Sequence, residues 1–252
     1  MRGLLNKVGK VLSLFSQQQP EWGVTEVARI LDLPKSTTSE IMASLVTQCL
    51  LRHTPSGRYR LGWRLFELSQ VLLDNTAFCV EARAAMQELV ERWGETTHLA
   101  VLDGVQVLYV EKLQGTPAAQ ILLSRIGARL PAHCSSVGKV LLAHQEWRKV
   151  ANQLEPQLAM PFTPNTIASL ETLNSELAKI YQQGYAYDHE EVVLGLCCVA
   201  APIYEADGKV IAAMSISVPA YRFYSQQEHY TEIILKTTHA ISHRLGYRRK
   251  ER

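Results

Sequence analysis

The 252-residue chain, 47% hydrophobic and 20% charged, has a globular composition with room for two domains, which excludes a disordered or fibrous chain. It contains no run of about eighteen apolar residues, and Arg2, Lys7 and Lys10 interrupt the N-terminus, so neither a membrane span nor a secretory leader is expected. The net charge of +2 divides unevenly, with nine Lys/Arg against five Asp/Glu in residues 1–73 and seventeen against nineteen beyond, which points to a localised polyanion-binding surface.

In LLNKVGKVLSLF, Leu4, Leu5, Val8, Val11, Leu12 and Phe15 fall at helical spacing, and Gln17–Pro20 ends the helix. VTEVARILDL predicts a second, short helix with Val27, Ile30 and Leu31 on one face and Thr25 as its cap. Asp32-Leu33-Pro34 turns the chain into a third helix, KSTTSEIMASLVTQ, with Pro34 in its first turn and Ile41, Leu45 and Val46 inward. Leu51 and His53, then Tyr59 and Leu61, alternate around Ser56-Gly57 as a hairpin.

Two short helices, a tight turn and an arginine-bearing hairpin compose a winged helix-turn-helix, whose later helix reads a major groove. Lys35, Ser36, Thr37 and Ser39 are the candidate groove contacts, small or polar enough to bring the helix N-terminus against phosphates. Arg52, Arg58 and Arg60 on the wing are candidate phosphate or minor-groove contacts. The plainer alternative for the same pattern is a protein-interaction module.

WRLFELSQVLL predicts a linker helix with Trp63, Phe66 and Leu68 free to pack on a partner chain, and FCVEARAAMQELVERW a second helix after a break near Asp74-Asn75. From Thr97 the period changes to two: THLAVL and VQVLYV flank Asp103-Gly104, a type I′ hairpin signal. AAQILLS, YAYDH, CCVAAPIY and VIAAMSISV are further strand candidates, the last two joined across Asp207-Gly208, and helices are expected over 136–144, 169–183 and 228–245. The sum is an α+β chain: a winged domain over residues 1–61, a linker helix over 62–76, and an antiparallel sheet flanked by helices over 77–252. Cys49, Cys79, Cys134, Cys197 and Cys198, odd in number and irregular in spacing, read as reduced thiols of a cytoplasmic protein.

In their joint order, VTEVARILDL, LPKSTTSEIMASL, SGRYRLG, GETTHLAVLDG, HCSSVGKVLLA, GYAYDHEEVVLGLCCVAAPI and AAMSISVP resemble the IclR (isocitrate-lyase-regulator) family of bacterial transcription factors, essentially end to end. The resemblance implies a dimer or dimer of dimers on operator DNA and a GAF/PAS-like C-terminal domain that binds a small-molecule effector. Three departures stand out. Glu40 occupies a helix position that usually carries Arg, Cys49 a turn position that usually carries Gly, and the N-terminal arm of some members is largely missing.

Carried over residue by residue, the effector site implied is Ser136 and Val137 through their N–H groups, Asp188, Cys198, Ser215 and Ser217. The local chemistry agrees. Ser215 and Ser217 share one strand face, Ser135-Ser136 opens a helix whose N–H groups favour a carboxylate, and Asp188 accepts from ligand hydroxyls. The ligand expected is a small hydroxy or keto acid, a sugar acid such as an aldonate first, a short keto acid second and an aromatic acid third. Leu122, Trp147, Phe162 and Tyr187 are candidates to shape the site. Each residue also has a plainer reading: a serine satisfying backbone, a buried small cysteine, a solvated turn around Asp188.

Gly138-Lys139 lacks the glycine spacing and the following Ser/Thr of a phosphate loop. The rival classes are a thiol- or metal-dependent enzyme using His133, Cys134 or Cys197-Cys198, and an adaptor that has lost DNA binding. Adjacent His133 and Cys134 on a strand would face opposite ways, and adjacent cysteines lack the spacer of zinc knuckles, so no catalytic residue, metal or cofactor is expected. The expected action is a repressor of a catabolic operon, released from DNA when ligand closure alters helix 62–73.

Overall fold

Two stretches of amphipathic patterning, one helical and one alternating, give two separate units, residues 1–75 and 76–252. The computed structural model describes residues 2–115 and 124–248.

In the first unit, α1 (Arg2–Ser13), α2 (Val24–Ile30) and α3 (Lys35–Thr47) precede a hairpin of β1 (Leu51–His53) and β2 (Tyr59–Leu61) and then α4 (Arg64–Asp74). Val11, Val27, Ile41, Met42, Leu45, Leu51 and Tyr59 form its core. Helix α2 starts at Val24, two residues earlier than a Thr25 cap would place it, and Thr25 does not cap it. Gly23 occupies the cap position, and Glu26 reaches back to its N–H at 2.9 Å. Leu4 and Leu5, placed by spacing on the α1 core face, are 55% and 71% exposed. α4 falls within the first unit, residues 1–75, and buries none of its residues.

Helices α2 and α3 end alike. Asp32 (φ 51) and Cys49 (φ 56) stand in the left-handed region, with Leu33 N–H donating to Ala28 O at 2.9 Å and Leu50 N–H to Leu45 O at 2.9 Å. These are Schellman endings, which favour glycine at the left-handed position. The turn after α3 therefore keeps its geometry although cysteine replaces the usual residue. Gly62 explains why it must: a Cβ there would lie 2.0 Å from the Cys49 carbonyl oxygen.

Among the described residues, the second unit is a six-stranded antiparallel sheet between two helical layers. Its strands are β3 (Thr96–Asp103), β4 (Gln106–Leu113), β5 (Arg129–Pro131), β6 (Ala186–His189), β7 (Leu196–Tyr204) and β8 (Val210–Pro219). Their spatial order is β5-β4-β3-β8-β7-β6. Helices α6 (Ser136–Ala143), α7 (Trp147–Leu158) and α8 (Leu170–Gln183) cover one face; α5 (Ala77–Trp93) and α9 (Ala220–Arg244) cover the other. Cys197, Val199, Met214, Ile216 and Val218 face the α5/α9 core, whereas the residues between them face the α6 side.

Four details depart from the sequence reading. The β3–β4 register pairs Asp103 with Gln106, so the turn residues are Gly104-Val105 with positive φ only at Gly104, the II′ rather than the I′ pattern. Helix α7 is an element that period reading did not isolate, although Val150, Leu154 and Leu158 are buried at i, i+4 and i+8; Pro156 masks it. Helix α9 begins eight residues before the expected 228 and is kinked at Gln226. His133 and Cys134 lie in a 3-10 turn (Ala132–Cys134), not on a strand, so the opposite-faces argument does not apply to them. The AAQILLS candidate falls almost entirely outside the described residues.

Candidate functional site

The α6 side of the sheet and the N-terminus of α6 enclose a cavity of about 30 Å³. Ser136, Val137, Asp188, Cys198, Ser215 and Ser217, which the sequence placed in three distant segments, all line it. Strand pairing explains the convergence: Asp188 stands opposite Cys198 in the β6–β7 ladder, and Cys198 opposite Ser217 in the β7–β8 ladder. Ser135 caps α6, accepting from Gly138 N–H at 3.2 Å, and directs the helix opening at the cavity. Gly138 is required for this: a Cβ there would meet the Ala132 carbonyl oxygen at 2.1 Å. The Gly138-Lys139 pair is thus a packing device in α6.

Burial and the neighbouring Glu191 push the Asp188 carboxyl up to about 7. Its Oδ1 accepts from Glu191 N–H at 2.7 Å, which holds the 190–195 loop against the cavity. Behind this wall Lys139 and Glu191 form a buried ion pair that joins α6 to the same loop. Burial outweighs the Lys139 charge and raises the Glu191 carboxyl.

His98, Tyr109 and Ser124 also line the cavity, and sequence reasoning did not single them out. His98 Nε2 lies 2.9 Å from Ser124 Oγ and its Nδ1 3.3 Å from Ser217 Oγ. A lone histidine in an alternating strand carries no signal of this; only its inward parity, shared with Ala100, does. Trp147 and Tyr187 pack into the cores and Phe162 is 44% exposed, so none of the three lines the cavity; Leu122 lies outside the described residues.

The thiols of Cys134 and Cys198, the latter lining the cavity, are poor nucleophiles. Burial pushes Cys134 up to about 12 and Cys198 well above the usual thiol value, while burial lowers His133 to about 4. Among the described residues, no group of three or more His, Cys, Asp or Glu is placed to hold a metal ion, and no helix is long and apolar enough to cross a membrane.

In the first unit Lys35, Ser36, Ser39 and Glu40 are exposed at the start of α3, and Thr37 is half-buried. Pro34 offers the helix no side-chain cap, so its opening N–H groups point outward. On the wing, Arg52 lies over the Trp63 ring at 5.8 Å. Arg58 and Arg60 are engaged within the unit: Arg58 donates to Glu26 Oε2 at 2.6 Å and to the Glu21 carbonyl at 3.1 Å, and Arg60 pairs with the Glu21 carboxylate.

The family model described as bacterial transcriptional regulator IclR C-terminal matches residues 70–243, and that of the IclR helix-turn-helix domain matches residues 4–55. The chain belongs to the IclR family. It is similar to the HTH-type transcriptional regulator XynR of Escherichia coli, 37% identical over 240 residues, covering 94% of this chain and 95% of that protein. It is 32% identical to the HTH-type transcriptional repressor AllR of the same species over 232 residues, covering 88% and 83%. Among solved structures, an IclR homolog from Microbacterium hydrocarbonoxydans complexed with 4-hydroxybenzoate superposes with a TM-score of 0.81 at 31% identity, covering 96% and 98%. This IclR-family chain is a ligand-responsive, DNA-binding transcriptional regulator and not an enzyme.

Proposed function

We propose that this regulator represses a catabolic operon in the cytoplasm and leaves its operator when a small hydroxy or keto acid enters the cavity on the α6 side of the sheet. One observation carries the reading: an α6 N-terminus, two serine hydroxyls and Asp188 converge on a single cavity. The helix opening suits a carboxylate, and the serines and Asp188 suit hydroxyl or keto groups. A sugar acid such as an aldonate matches this number of polar groups and requires the 190–195 loop to yield, because the free space is only about 30 Å³. An aromatic hydroxy acid is the second reading, supported by the 4-hydroxybenzoate held by the Microbacterium relative.

Lys35, Ser36, Thr37 and Ser39 are the groove-facing set, with Arg52 and the outer face of Arg60 on the wing; Arg58 acts from behind by holding the wing in place. Residues 62–76, containing α4, serve as the link to the effector domain over 77–252. The exposed Trp63, Phe66, Leu68 and Val71 are the surface on which a second copy packs, giving a dimer or dimer of dimers on a near-palindromic operator.

A thermal-shift panel of gluconate, glyoxylate, pyruvate and 4-hydroxybenzoate on the full chain tests this, followed by release from its own upstream DNA. The reading requires at least one acid to raise the melting temperature and weaken operator binding. It fails if no acid does so, or if a bound acid leaves operator affinity unchanged. Lys35→Ala is expected to lower DNA affinity and reduce the salt slope by about one phosphate contact.

A further inference from the structure

The roles given so far leave out two cavity residues, His98 and Ser124, and Lys112 beside them. His98 is 2% exposed on β3, and both of its ring nitrogens have partners, Ser124 on one side and Ser217 on the other. Lys112 stands directly opposite His98 in the β3–β4 ladder and donates from Nζ to Ser124 Oγ at 3.4 Å. Beyond Ser217 the row continues: its Oγ is 3.1 Å from Cys198 Sγ, and Cys198 stands opposite Asp188 in the β6–β7 ladder. One row of polar groups thus runs across five strands, β4-β3-β8-β7-β6, from a cation at one end to a carboxyl at the other.

Its direction follows from its first member. An ammonium only donates, so Ser124 Oγ accepts from Lys112 and has a single proton left to give. Given to His98 Nε2, the nearer of its two described side-chain neighbours at 2.9 Å, that proton makes Nε2 the bare nitrogen. Burial and the Lys112 charge push the imidazole pKa down to about 3, so His98 is neutral and carries one proton. That proton sits on Nδ1 and is donated to Ser217 Oγ. Ser217, its oxygen already accepting, turns its own proton toward Cys198 or toward whatever occupies the cavity.

We propose that His98 is a positioning residue, held in its Nδ1–H tautomer by Lys112 and Ser124, and that it makes Ser217 a hydrogen-bond donor into the cavity. Its consequence for binding rests on the effector reading above: the ligand presents an acceptor oxygen, keto or carboxylate, to Ser217. The same polarity leaves Asp188 as the acceptor at the far end of the row, so the two ends of a hydroxy or keto acid are told apart.

Nitrogen-15 NMR of the full chain labelled at histidine reads the tautomer without any ligand, the His98 signals being those lost in His98→Gln. The expected result is a proton-bearing Nδ1 and a bare Nε2 that do not titrate between about pH 5.5 and 8, with Ser124→Ala shifting the proton toward Nε2. A protonated Nε2, an imidazolium, or a tautomer unmoved by Ser124→Ala overturns the proposal.

Calorimetry with gluconate reads the consequence. In His98→Asn the amide nitrogen replaces Nδ1 and still donates to Ser217, so affinity stays close to wild type. In His98→Gln the amide sits at the Nε2 end, and affinity falls about tenfold. Equal affinity of both folded variants with wild type overturns the donor role. Failure of gluconate to bind the wild-type chain counts against the sugar-acid reading alone, because the tautomer is read without it.

Discussion

Arg58 closes a two-pronged ion pair on Glu26, with Nη2 2.6 Å from Oε2 and Nη1 3.3 Å from Oε1. Glu26 is the residue whose carboxylate also takes the Gly23 N–H at the start of α2, and these bonds hold it below the usual carboxylate range, the backbone bond most of all. The wing is thereby fastened to the helix that precedes the reading helix. Arg58→Ala is expected to lower the melting temperature of the first unit and to weaken operator binding with little change in salt slope. Arg58→Lys recovers only part of this, because an ammonium lacks the two-pronged geometry. A full loss of one salt-slope unit with an unaltered melting temperature would instead make Arg58 a phosphate contact.

Asp188 makes the effector unit pH-sensitive. Its folded pKa, about 7, lies above the ordinary aspartate value of 3.8, so between those two values the folded state holds a proton that the unfolded chain has released. Stability contributed by this group is therefore fully present below the lower value and is lost as pH rises through the upper one. The slope approaches ~1.4 kcal/mol per pH unit for one proton. Denaturant melts between about pH 5 and 8 should show this fall in wild type and a flatter profile in Asp188→Asn. Identical profiles would mean that another group dominates.

Gly138→Ala places a methyl 2.1 Å from the Ala132 carbonyl oxygen, so α6 must shift or the 3-10 turn must open. The expected cost is about 1–3 kcal/mol or more, read by denaturation. Ligand binding is expected to be lost beyond what that destabilisation explains, because Ser136 and Val137 move with the helix.

Cys49→Gly is expected to stabilise the first unit by about 1 kcal/mol, since cysteine holds a left-handed conformation that glycine adopts freely. Thermal melts of the wild-type and substituted chains check it, and a fall in melting temperature would show that the unfolded-state entropy of glycine outweighs the relief.

Much of the fold is legible locally. The alternation in MSISV and the small polar opening of α3 each report a single element, and those elements form where the patterning puts them. What depends on partners far along the chain is not legible. Arg58 looks like a phosphate ligand until Glu26, thirty-two residues away, is seen to occupy it. His98 becomes meaningful only when β3 lies beside β8, and Lys139 only when Glu191 arrives, fifty-two residues later. α7 shows the opposite failure: its apolar period is present, but Pro156 argues against a helix that ends two residues later.

The sheet is a bulkhead with two unlike surfaces. Along β8, Met214, Ile216 and Val218 belong to the greasy packing under α9, while Ser215 and Ser217 belong to the chamber under α6. On the effector reading proposed above, exchanging alternate positions changes the lining of the chamber while the scaffold stays intact. A single-residue insertion in the same strand would swap the two surfaces, burying hydroxyls in the oily layer and walling the chamber with hydrocarbon.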